Sequence, residues 1–582
     1  MKNKIITCFW VIIIGGLCML TSCKDMFEID SPAYLDADKH YLNSANDSVY
    51  SVIGILKQLQ PLGERYVVLG DLRGDLMEVT ENADMNLQEI ANFTATADNP
   101  YLSTREYYAV INNCNYFLQR ADTSIISGGK KALLGEYAAV KAIRAWTYLQ
   151  LVLNHGKAVY LTEPILTVED MNRDYPEMTP QQLIETVLSD LENYLDETIY
   201  PSYGSNLYND MFISGAVLAG DLYLWMGAFT GNTRYYEQAA TLYYQIINNK
   251  GYRGGGNYIN RYAGRNFEEL LSGYAWDAVF YETQELISSI NYTLNSEETL
   301  EYPSIMLLTW PEVTGRAFQY KLKPSQAAMD LWENESYIHY NSATREAFYT
   351  KGDLRGLYQR NGIIAGSCYY ADDDKTLCIT KYGYYTVYNN FMIINYRSFI
   401  PLYRAGKLYL RYAEALNALG KPSLAFAVLK HGLKGEVLAN PEIIAEDEIR
   451  PDIPAYCDFT AVRYSEGGSM FQTGIHSRGS GYVESDTLYY AFTEEALQIN
   501  RDYYGFPAHL ANKQDSILFV DAMICKELGL ETAFEGNRFH DLMRFAIRKN
   551  DNAFLANWVG RRNPALTGVL MNPDSWFLPA TE

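Results

Sequence analysis

The sequence predicts a mainly α-helical protein: a superhelix of about four antiparallel helix pairs, with an irregular layer of loops and short hairpins packed on it. Two observations indicate this fold. Several segments place apolar residues at the three- and four-residue spacing of a helix face. The clearest of them are joined by Gly- and Pro-containing turns, and small residues stand where paired helices would meet.

The clearest helix pair lies within Tyr403–Leu433. Large residues surround the small Ala413 in its first helix, and the second helix is led by the small Ala425 after the turn Gly420-Lys421-Pro422. This is the spacing of a tetratricopeptide (TPR) unit, in which small residues let two helices approach closely. One such unit cannot bury its own apolar face, so other pairs are expected to stack on it.

Three more pairs are predicted in the N-terminal half. One joins a helix over Lys131–His155 to a helix that starts at Thr179-Pro180, a cap residue followed by proline at the first helical position. The other two are Phe212–Phe229 with Tyr235–Ile247, and Ser48–Leu59 with Tyr107–Arg120. These pairs resemble the TPR arrangement.

Residues 46–582 are expected to form a single body. TPR-like helix pairs occupy mainly 46–250 and 401–435, and a C-terminal motif region covers 515–582. The pattern changes over about 251–400 and 451–485, where glycines, scattered aromatic residues and short β-rich runs indicate loops and hairpins. Two of these runs are Tyr382–Tyr388 and Phe391–Tyr396.

The N-terminus has the layout of a signal peptide, expected over residues 1–22. Lys2 and Lys4 precede the apolar run Ile5–Leu20, which is short for a membrane-spanning helix of ~20 residues. Leu20-Thr21-Ser22 then leads directly into a cysteine.

That cysteine, Cys23, makes the signal similar to the lipobox of bacterial lipoproteins. Cys23 would become the acylated first residue, and its acyl chains would hold the protein at a membrane. Residues 23–45 are then the lipid anchor and a linker. Acidic residues after Cys23 resemble the surface-export signal of Bacteroides-type lipoproteins and favour outward display. The alternative is an ordinary secreted protein with a chance cysteine.

Five cysteines remain in the mature body, an odd number without a disulfide framework. Cys368 and Cys378 are ten residues apart and either bridge a hairpin or stay as buried thiols. The fold must therefore rest on its core.

A net charge of −22 argues against nucleic acid as a partner, because phosphate binding relies on clustered Lys and Arg. The 50 tyrosines combine an apolar face with a hydroxyl, which suits helix seams and also the stacking of polar ligands.

The sequence lacks the motifs of common catalytic and metal sites. It contains no HExxH spacing among its seven histidines and no GxSxG elbow. A pair of glycosidase carboxylates needs only the right separation in space, so sequence alone leaves that chemistry open. Asp372-Asp373-Asp374 lacks EF-hand spacing and is interpreted as a solvated loop rather than a Ca²⁺ site.

Several motifs are spread over almost the whole chain. They are Leu72-Arg73-Gly74-Asp75, Arg144-Ala145-Trp146 through Leu151 and Gly156, the helix Arg404 through Leu408–Asn417, the segment Glu531 through Phe534–Phe539, Asp541 and Arg544, and the tail Trp576–Pro579. Together they resemble the SusD/RagB family of outer-membrane nutrient-binding lipoproteins. One departure is Leu429–Leu433, which stands where many members end the next helix in an Asn and an Arg.

The resemblance implies a binding protein without a cofactor, not an enzyme. Such a protein is surface-exposed and lipid-anchored in the outer membrane. It captures oligosaccharides or oligopeptides and delivers them, as a lid, to a SusC-like TonB-dependent transporter. The two alternatives are a surface glycoside hydrolase and a TPR-type protein-assembly scaffold.

The resemblance also places ligand contacts after the early motif and in the irregular middle of the chain. The candidates there are Glu78, Asn82, Tyr369 and Tyr370. Glycan binding needs exposed aromatic platforms, and the aromatic candidates in the irregular half are Trp276, Trp310 and Trp332.

The charged residues of the motifs are expected to be structural. Glu414 follows Arg411 by three residues, and four more charges crowd one helical turn and its lead-in, a spacing that favours ion pairs. Those four are Glu535, Arg538, Asp541 and Arg544. Because buried ions need partners, we expect these residues to tie helical layers together rather than to contact ligand.

Overall fold

A computed structural model describes most of the chain. The described residues are 45–196, 201, 211–248, 286–292, 303–311, 318–340, 344, 346–356, 359–360, 363–364, 366–370, 376–388, 391–396, 398–460, 474–480 and 490–579. The predicted signal peptide, Cys23, Trp276 and Asp372–Asp374 lie outside them.

Helices dominate the described chain, as the sequence predicts. The longer ones are α1 Ala45–Val67, α2 Met85–Asn92, α3 Arg105–Arg120, α4 Leu134–His155, α5 Pro180–Leu191, α6 Gly215–Thr230, α7 Thr233–Asn248, α8 Gln326–Glu333, α9 Ala405–Ala418, α10 Pro422–Lys430, α11 Lys513–Thr532, α12 Arg538–Lys549 and α13 Asn552–Gly560. Short α-helices cover Val168–Met171, Ile305–Thr309, Gly435–Leu438, Glu446–Ile449, Ser477–Ser480, Glu494–Asn500 and Leu566–Leu570.

All four predicted helix pairs are present: α1 packs on α3, α4 on α5, α6 on α7, and α9 on α10. The predicted start of α5 is a capping box, in which the Thr179 side chain accepts from the N–H of Gln182 and the Gln182 side chain accepts from the N–H of Thr179. The predicted turn between α9 and α10 places Gly420 at a φ of +73°. One continuous apolar core joins the pairs to the irregular layer and to the C-terminal helices. The prediction of a mainly α-helical superhelix is confirmed.

The described strands are short and form two-stranded antiparallel ribbons. They are β1 Met77–Val79, β2 Ile126–Ser127, β3 Lys130–Lys131, β4 Ala158–Val159, β5 Glu177–Met178, β6 Leu286–Asn291, β7 Leu322–Pro324, β8 Ser336–Tyr340, β9 Ala347–Lys351, β10 Gln359–Arg360, β11 Ile363–Ile364, β12 Cys368–Tyr370, β13 Leu377–Ile379, β14 Gly383–Tyr388, β15 Phe391–Tyr396 and β16 Phe399–Arg404. The pairs are β1–β7, β2–β3, β4–β5, β6–β16, β8–β9, β10–β11, β12–β13 and β14–β15. The β14–β15 hairpin is the one predicted from its β-rich runs.

Cys368 and Cys378 lie on the β12–β13 hairpin but are not joined to each other. Cys368 is opposite Ile379, and Cys378 is opposite Tyr369. Because side chains alternate between the faces of a strand, the two thiols point to opposite faces of the ribbon. Both are buried thiols, the second of the two alternatives drawn from the sequence.

The early motif packs against the C-terminal motif through backbone contact. A single π-helical turn, Val68–Leu72, follows α1 and places Gly70 on Gly536. A Cβ atom on Gly70 would lie 1.9 Å from the Gly536 carbonyl oxygen, so only glycine fits. Asp75 then forms a bidentate pair with Arg538, with Nε–Oδ1 and Nη2–Oδ2 distances of 2.6 and 2.9 Å.

A set of buried ion pairs, here called the charged seam, joins the irregular layer and the α9–α10 pair to α11 and α12. Its members are Arg355, Lys381, Arg404, Arg411, Glu414, Arg478, Glu531, Glu535, Asp541 and Arg544, all buried. The motif charges therefore tie layers together, as predicted.

Glu531 is the most heavily paired carboxylate of the charged seam. It receives Arg355 at 3.0 Å, Arg404 at 2.6 Å and Arg478 at 2.5 Å. Arg404 also contacts Glu535 at 2.8 Å. Burial alone would raise the pKa of Glu531, but the three guanidinium groups hold it well below its ordinary value.

The second half of the charged seam connects α9 to α12. Glu414 accepts two hydrogen bonds from Arg544, at 2.8 and 2.7 Å. Arg411 binds Asp541 at 2.5 Å, and Arg544 contacts the same carboxylate at 3.2 Å. These alternating charges lock the two helices in one register.

Candidate functional site

The residues after the early motif form one edge of a small surface. Glu78 is half-buried on β1 and lies opposite Lys323 of β7, with an Oε1–Nζ distance of 3.3 Å. Beyond β1, the Thr80 hydroxyl donates to the Tyr320 carbonyl at 2.5 Å, and the exposed Asn82 amide approaches the same oxygen at 3.5 Å. Both predicted residues therefore border β7.

Two further side chains extend this edge. Asp84 accepts from the N–H of Leu87 at the start of α2 and pairs with Lys321 at 2.7 Å. Partial burial opposes the shift, but the Lys321 ammonium and the backbone N–H groups lower the pKa of Asp84. Tyr320 adopts a φ of +43°, a left-handed conformation unusual for tyrosine.

The predicted tyrosines lie on the hairpin beside this edge. Tyr369 and Tyr370 belong to β12, which pairs with β13, and β13 packs against β7. The Tyr320 hydroxyl donates to the Leu377 carbonyl at 2.8 Å and ties the hairpin in place. We call this region, formed by β1, the Thr80–Asp84 loop, Tyr320, β7 and the β12–β13 hairpin, the β1–β7 surface.

Two of the predicted tryptophans belong to the core instead. Trp310 is completely buried and donates from Nε1 to the Ile379 carbonyl at 2.8 Å. Trp332 is 2% exposed and packs on Phe534 with ring centroids 5.9 Å apart. Neither ring face can stack on a sugar in this structure, so the expectation of exposed platforms at these two positions is wrong. The buried rings of Trp310 and Trp332 instead anchor their segments to the helical scaffold.

The sequence interpretation missed four residues of the β1–β7 surface. These are Asp84, Tyr320, Lys321 and Lys323. An Asp followed by an apolar helical pattern is a recognisable cap, so Asp84 had a signal. The other three had none, because the pairing of β7 with β1 joins segments about 240 residues apart.

Carboxyl groups with raised pKa values do not gather at this surface. Burial raises the pKa of Asp71 to about 8, but Asp71 lies in the core and accepts a hydrogen bond from the N–H of Gly536. Burial also raises the pKa of Glu448, which caps α10 by accepting from the N–H groups of Ser423 and Leu424. Within the described ranges, no three His, Cys, Asp or Glu side chains are grouped to hold a metal ion.

Several solved structures have this fold and match the chain over more than nine-tenths of its length. A SusD homolog from Bacteroides thetaiotaomicron is 16% identical with a TM-score of 0.56, covering 92% of this chain and 94% of its own. A SusD superfamily protein from the same species is 17% identical with a TM-score of 0.52, covering 93% and 96%. NanU of Bacteroides fragilis is 16% identical with a TM-score of 0.51, covering 91% and 94%.

The chain therefore has the helical fold of these SusD-like structures. This confirms the fold that the resemblance of its motifs to the SusD/RagB family implies. No family model and no curated protein matches the sequence. Among the described helices, none combines the length and apolar character needed to cross a membrane.

Proposed function

We propose that this protein is a surface-exposed, lipid-anchored nutrient-binding protein of the outer membrane. It captures an oligosaccharide, or an oligopeptide, and delivers it as a lid to a SusC-like TonB-dependent transporter. The observation that carries this proposal is the SusD-like fold, which extends over more than nine-tenths of the chain in the solved structures it resembles. Acylation at Cys23 supplies the anchor.

In this proposal the ligand binds at the β1–β7 surface. Glu78, Asn82, Asp84 and the two lysines of β7 and its lead-in offer both acceptors and donors to sugar hydroxyls or to peptide groups. The charges are already paired in weak, partly exposed ion pairs, which a ligand can replace at little cost. Tyr369 and Tyr370 of the adjacent hairpin complete the proposed site.

Binding without turnover fits the carboxyl groups better than hydrolysis does. A glycosidase needs an acid with a raised pKa facing its substrate. The raised pKa values of Asp71 and Glu448 belong to core and capping positions. The protein-assembly scaffold has no specific observation in its favour.

Calorimetry of the full chain in detergent tests the proposal, with neutral and acidic polysaccharides and a peptide digest as probes. We expect heat from one class and no new reducing ends or cleaved peptides. Asn82→Ala should weaken binding by about tenfold, the loss of one or two hydrogen bonds. Asn172→Ala, another exposed Asn whose amide donates to a backbone carbonyl, is the matched control. Product formation in the same tube would promote the hydrolase, and an unchanged affinity in Asn82→Ala would move the ligand elsewhere.

The anchor and the partner need separate measurements. Cys23→Ser should release the protein from the membrane fraction. Co-purification of a large outer-membrane barrel protein with the wild-type chain supports the lid role, and its absence from crosslinked membranes would contradict that role.

A further inference from the structure

A large open cleft lies among helix ends in the C-terminal part of the fold. Its volume is about 1110 Å³, slightly above the range of about 300–1,000 Å³ that is typical of ligand sites. It is bordered by the start of α7, by the ends of α6, α9 and α12, by α11 and α13, and by the loop Arg501–Phe506. We call it the C-terminal cleft.

An exposed tyrosine is held in a fixed position at this cleft. Tyr504 is 36% exposed, its ring meets Phe554 edge-on at 6.2 Å, and its hydroxyl donates to Asp551 at 3.1 Å. The next residue, Gly505, has a φ of +99°, and a Cβ there would lie 2.6 Å from Phe554. The loop therefore lies directly on α13, and the Tyr504 ring is pre-organised as a stacking platform.

The neighbouring Tyr503 fixes the loop from below. Its ring stacks on Trp558 at a centroid distance of 5.5 Å, and the Arg561 guanidinium lies 4.3 Å from its centroid. Within the described residues, neither Arg561 nor the exposed Arg501 forms an ion pair with a carboxylate. Arg501 donates instead to the Gln498 amide at 2.6 Å. Both guanidinium groups keep donors for a ligand.

Side chains at the floor of the cleft have unused hydrogen-bonding capacity. Asp521 is satisfied by Arg548, Lys549 and Asn417. In contrast, the buried Tyr236 hydroxyl, Asn417 Oδ1 and Arg548 Nη1 have no partner within the described protein. Buried polar atoms without partners are uncommon, and three of them belong to residues that line one cleft.

The C-terminal cleft is separate from the β1–β7 surface. Arg538 at the start of α12 binds Asp75, just before β1, whereas Lys549 at the end of α12 lines the cleft. Twelve helical residues place these two points about 16–18 Å apart.

We propose that the C-terminal cleft is a second ligand site, which binds an oligosaccharide through stacking on Tyr504. The inference rests on the proposed function for its class of ligand, but on different residues. A rigid exposed ring beside arginine, carboxylate and amide side chains matches the apolar faces and hydroxyls of sugar rings. Peptides are bound most often through strand edges or grooves for helices. No described residue that lines the cleft belongs to a strand.

The test measures binding stoichiometry and affinity of the full chain by calorimetry. The probes are defined oligosaccharides from dextrin, xylan, mannan and polygalacturonate, with a tryptic casein digest for peptides. Tyr504→Ala should remove one of two sites, or lower its affinity at least about tenfold. Tyr504→Phe keeps the ring and should keep the site. Tyr50→Ala, at a tyrosine 77% exposed on α1, is the matched control.

The outcomes for Tyr504 distinguish failure of the second site from failure of the proposed function. If an oligosaccharide binds and Tyr504→Ala leaves both stoichiometry and affinity unchanged, the second site is overturned while the proposed function stands. If Tyr504→Ala abolishes binding of peptides only, the assignment to oligosaccharides is wrong. If no oligosaccharide binds the wild-type chain, the second site is overturned, and the proposed function keeps only an oligopeptide as its ligand. Loss in Tyr504→Phe as well as in Tyr504→Ala would mean that the hydroxyl, not the ring, matters, and would contradict stacking.

Discussion

The charged seam and the β1–β7 surface are built from the same kind of interaction in opposite surroundings. In the charged seam, Arg355 and Glu531 have side chains that are 0% exposed, and each carboxylate meets more than one cation. At the β1–β7 surface, Lys321 and Asp84 are 22% and 43% exposed and form a single pair. Burial, rather than the residue types, separates a structural ion pair from one available to ligand.

The difference is energetic. Removing one partner of a buried pair leaves an uncompensated charge and costs about 3–5 kcal/mol. An exposed pair contributes about 0–1 kcal/mol, since water already solvates both groups. The charged seam can therefore hold the irregular layer rigidly on the scaffold, while the β1–β7 surface can exchange its internal pairs for contacts with a ligand.

The largest expected effect is the loss of stability in acid, which acts on the buried carboxylates of the charged seam. Glu527 of α11 is a buried carboxylate beside the charged seam, 2.6 Å from Arg355. Burial opposes the shift, but Arg355 and His476 lower the pKa of Glu527 to about 2. Arginines and lysines likewise lower the pKa values of the seam carboxylates Glu531, Glu535 and Asp541. A carboxylate whose pKa is lower in the folded than in the unfolded state stabilises the folded protein at pH values above its unfolded-state pKa, which is 4.5 for Glu. That stability is lost as the pH falls through the folded-state pKa.

We therefore expect the free energy of unfolding to fall steeply between about pH 4.5 and pH 2. Urea unfolding followed by circular dichroism at several pH values measures it. Burial raises the pKa of Asp71 from 3.8 to about 8, so this group makes the free energy of unfolding decrease as the pH rises between those values. The test of the charged seam is therefore confined to the acid range. A flat profile in the acid range would contradict the assignment of the charged seam as ionised.

Glu531→Gln should destabilise the protein by about 3–5 kcal/mol, because Arg355, Arg404 and Arg478 lose their shared carboxylate inside the core. Urea unfolding near neutral pH measures the change. Glu495→Gln, at an exposed position, is the matched control and should stay within about 0.5 kcal/mol of wild type. The Gln variant should also lose less stability in acid than the wild type. Equal losses for both substitutions would mean that burial does not set the strength of these pairs.

The early motif that leads into the β1–β7 surface is held by a steric contact as well as by the ion pair of Asp75 with Arg538. Gly70→Ala places a methyl group 1.9 Å from the Gly536 carbonyl and should cost about 1–3 kcal/mol or more. Gly54→Ala is the control, because a Cβ on Gly54 meets nothing within 4 Å and alanine favours the helix. Thermal unfolding should show Gly70→Ala below wild type and Gly54→Ala at or above it. The same melting temperature for both would exclude close contact between the two motifs.

The sequence predicted what depends on local spacing. The helix pairs follow from apolar periodicity and turns, as at Thr179-Pro180 and Gly420, and the motif charges follow from their spacing on helices. It failed where contacts join distant segments. Trp310 was expected to be exposed because its segment is irregular, but the Ile379 carbonyl, 69 residues away, takes its N–H in the core. Lys321 and the cleft residue Tyr504 had no local signal either, since exposure depends on which helices cover a residue.

The smallest expected effect is at the β1–β7 surface. Lys321→Ala breaks the 2.7 Å pair with Asp84 and should change the free energy of unfolding by less than about 1 kcal/mol. Its partner keeps the N–H of Leu87 and is partly solvated, so no buried charge is stranded. Urea unfolding measures the stability, and calorimetry with the oligosaccharide or peptide found to bind measures the affinity. A weakened affinity at unchanged stability would mark Lys321 as a ligand contact. A loss of stability as large as that in Glu531→Gln would instead join this surface to the structural core and remove the contrast between the two regions.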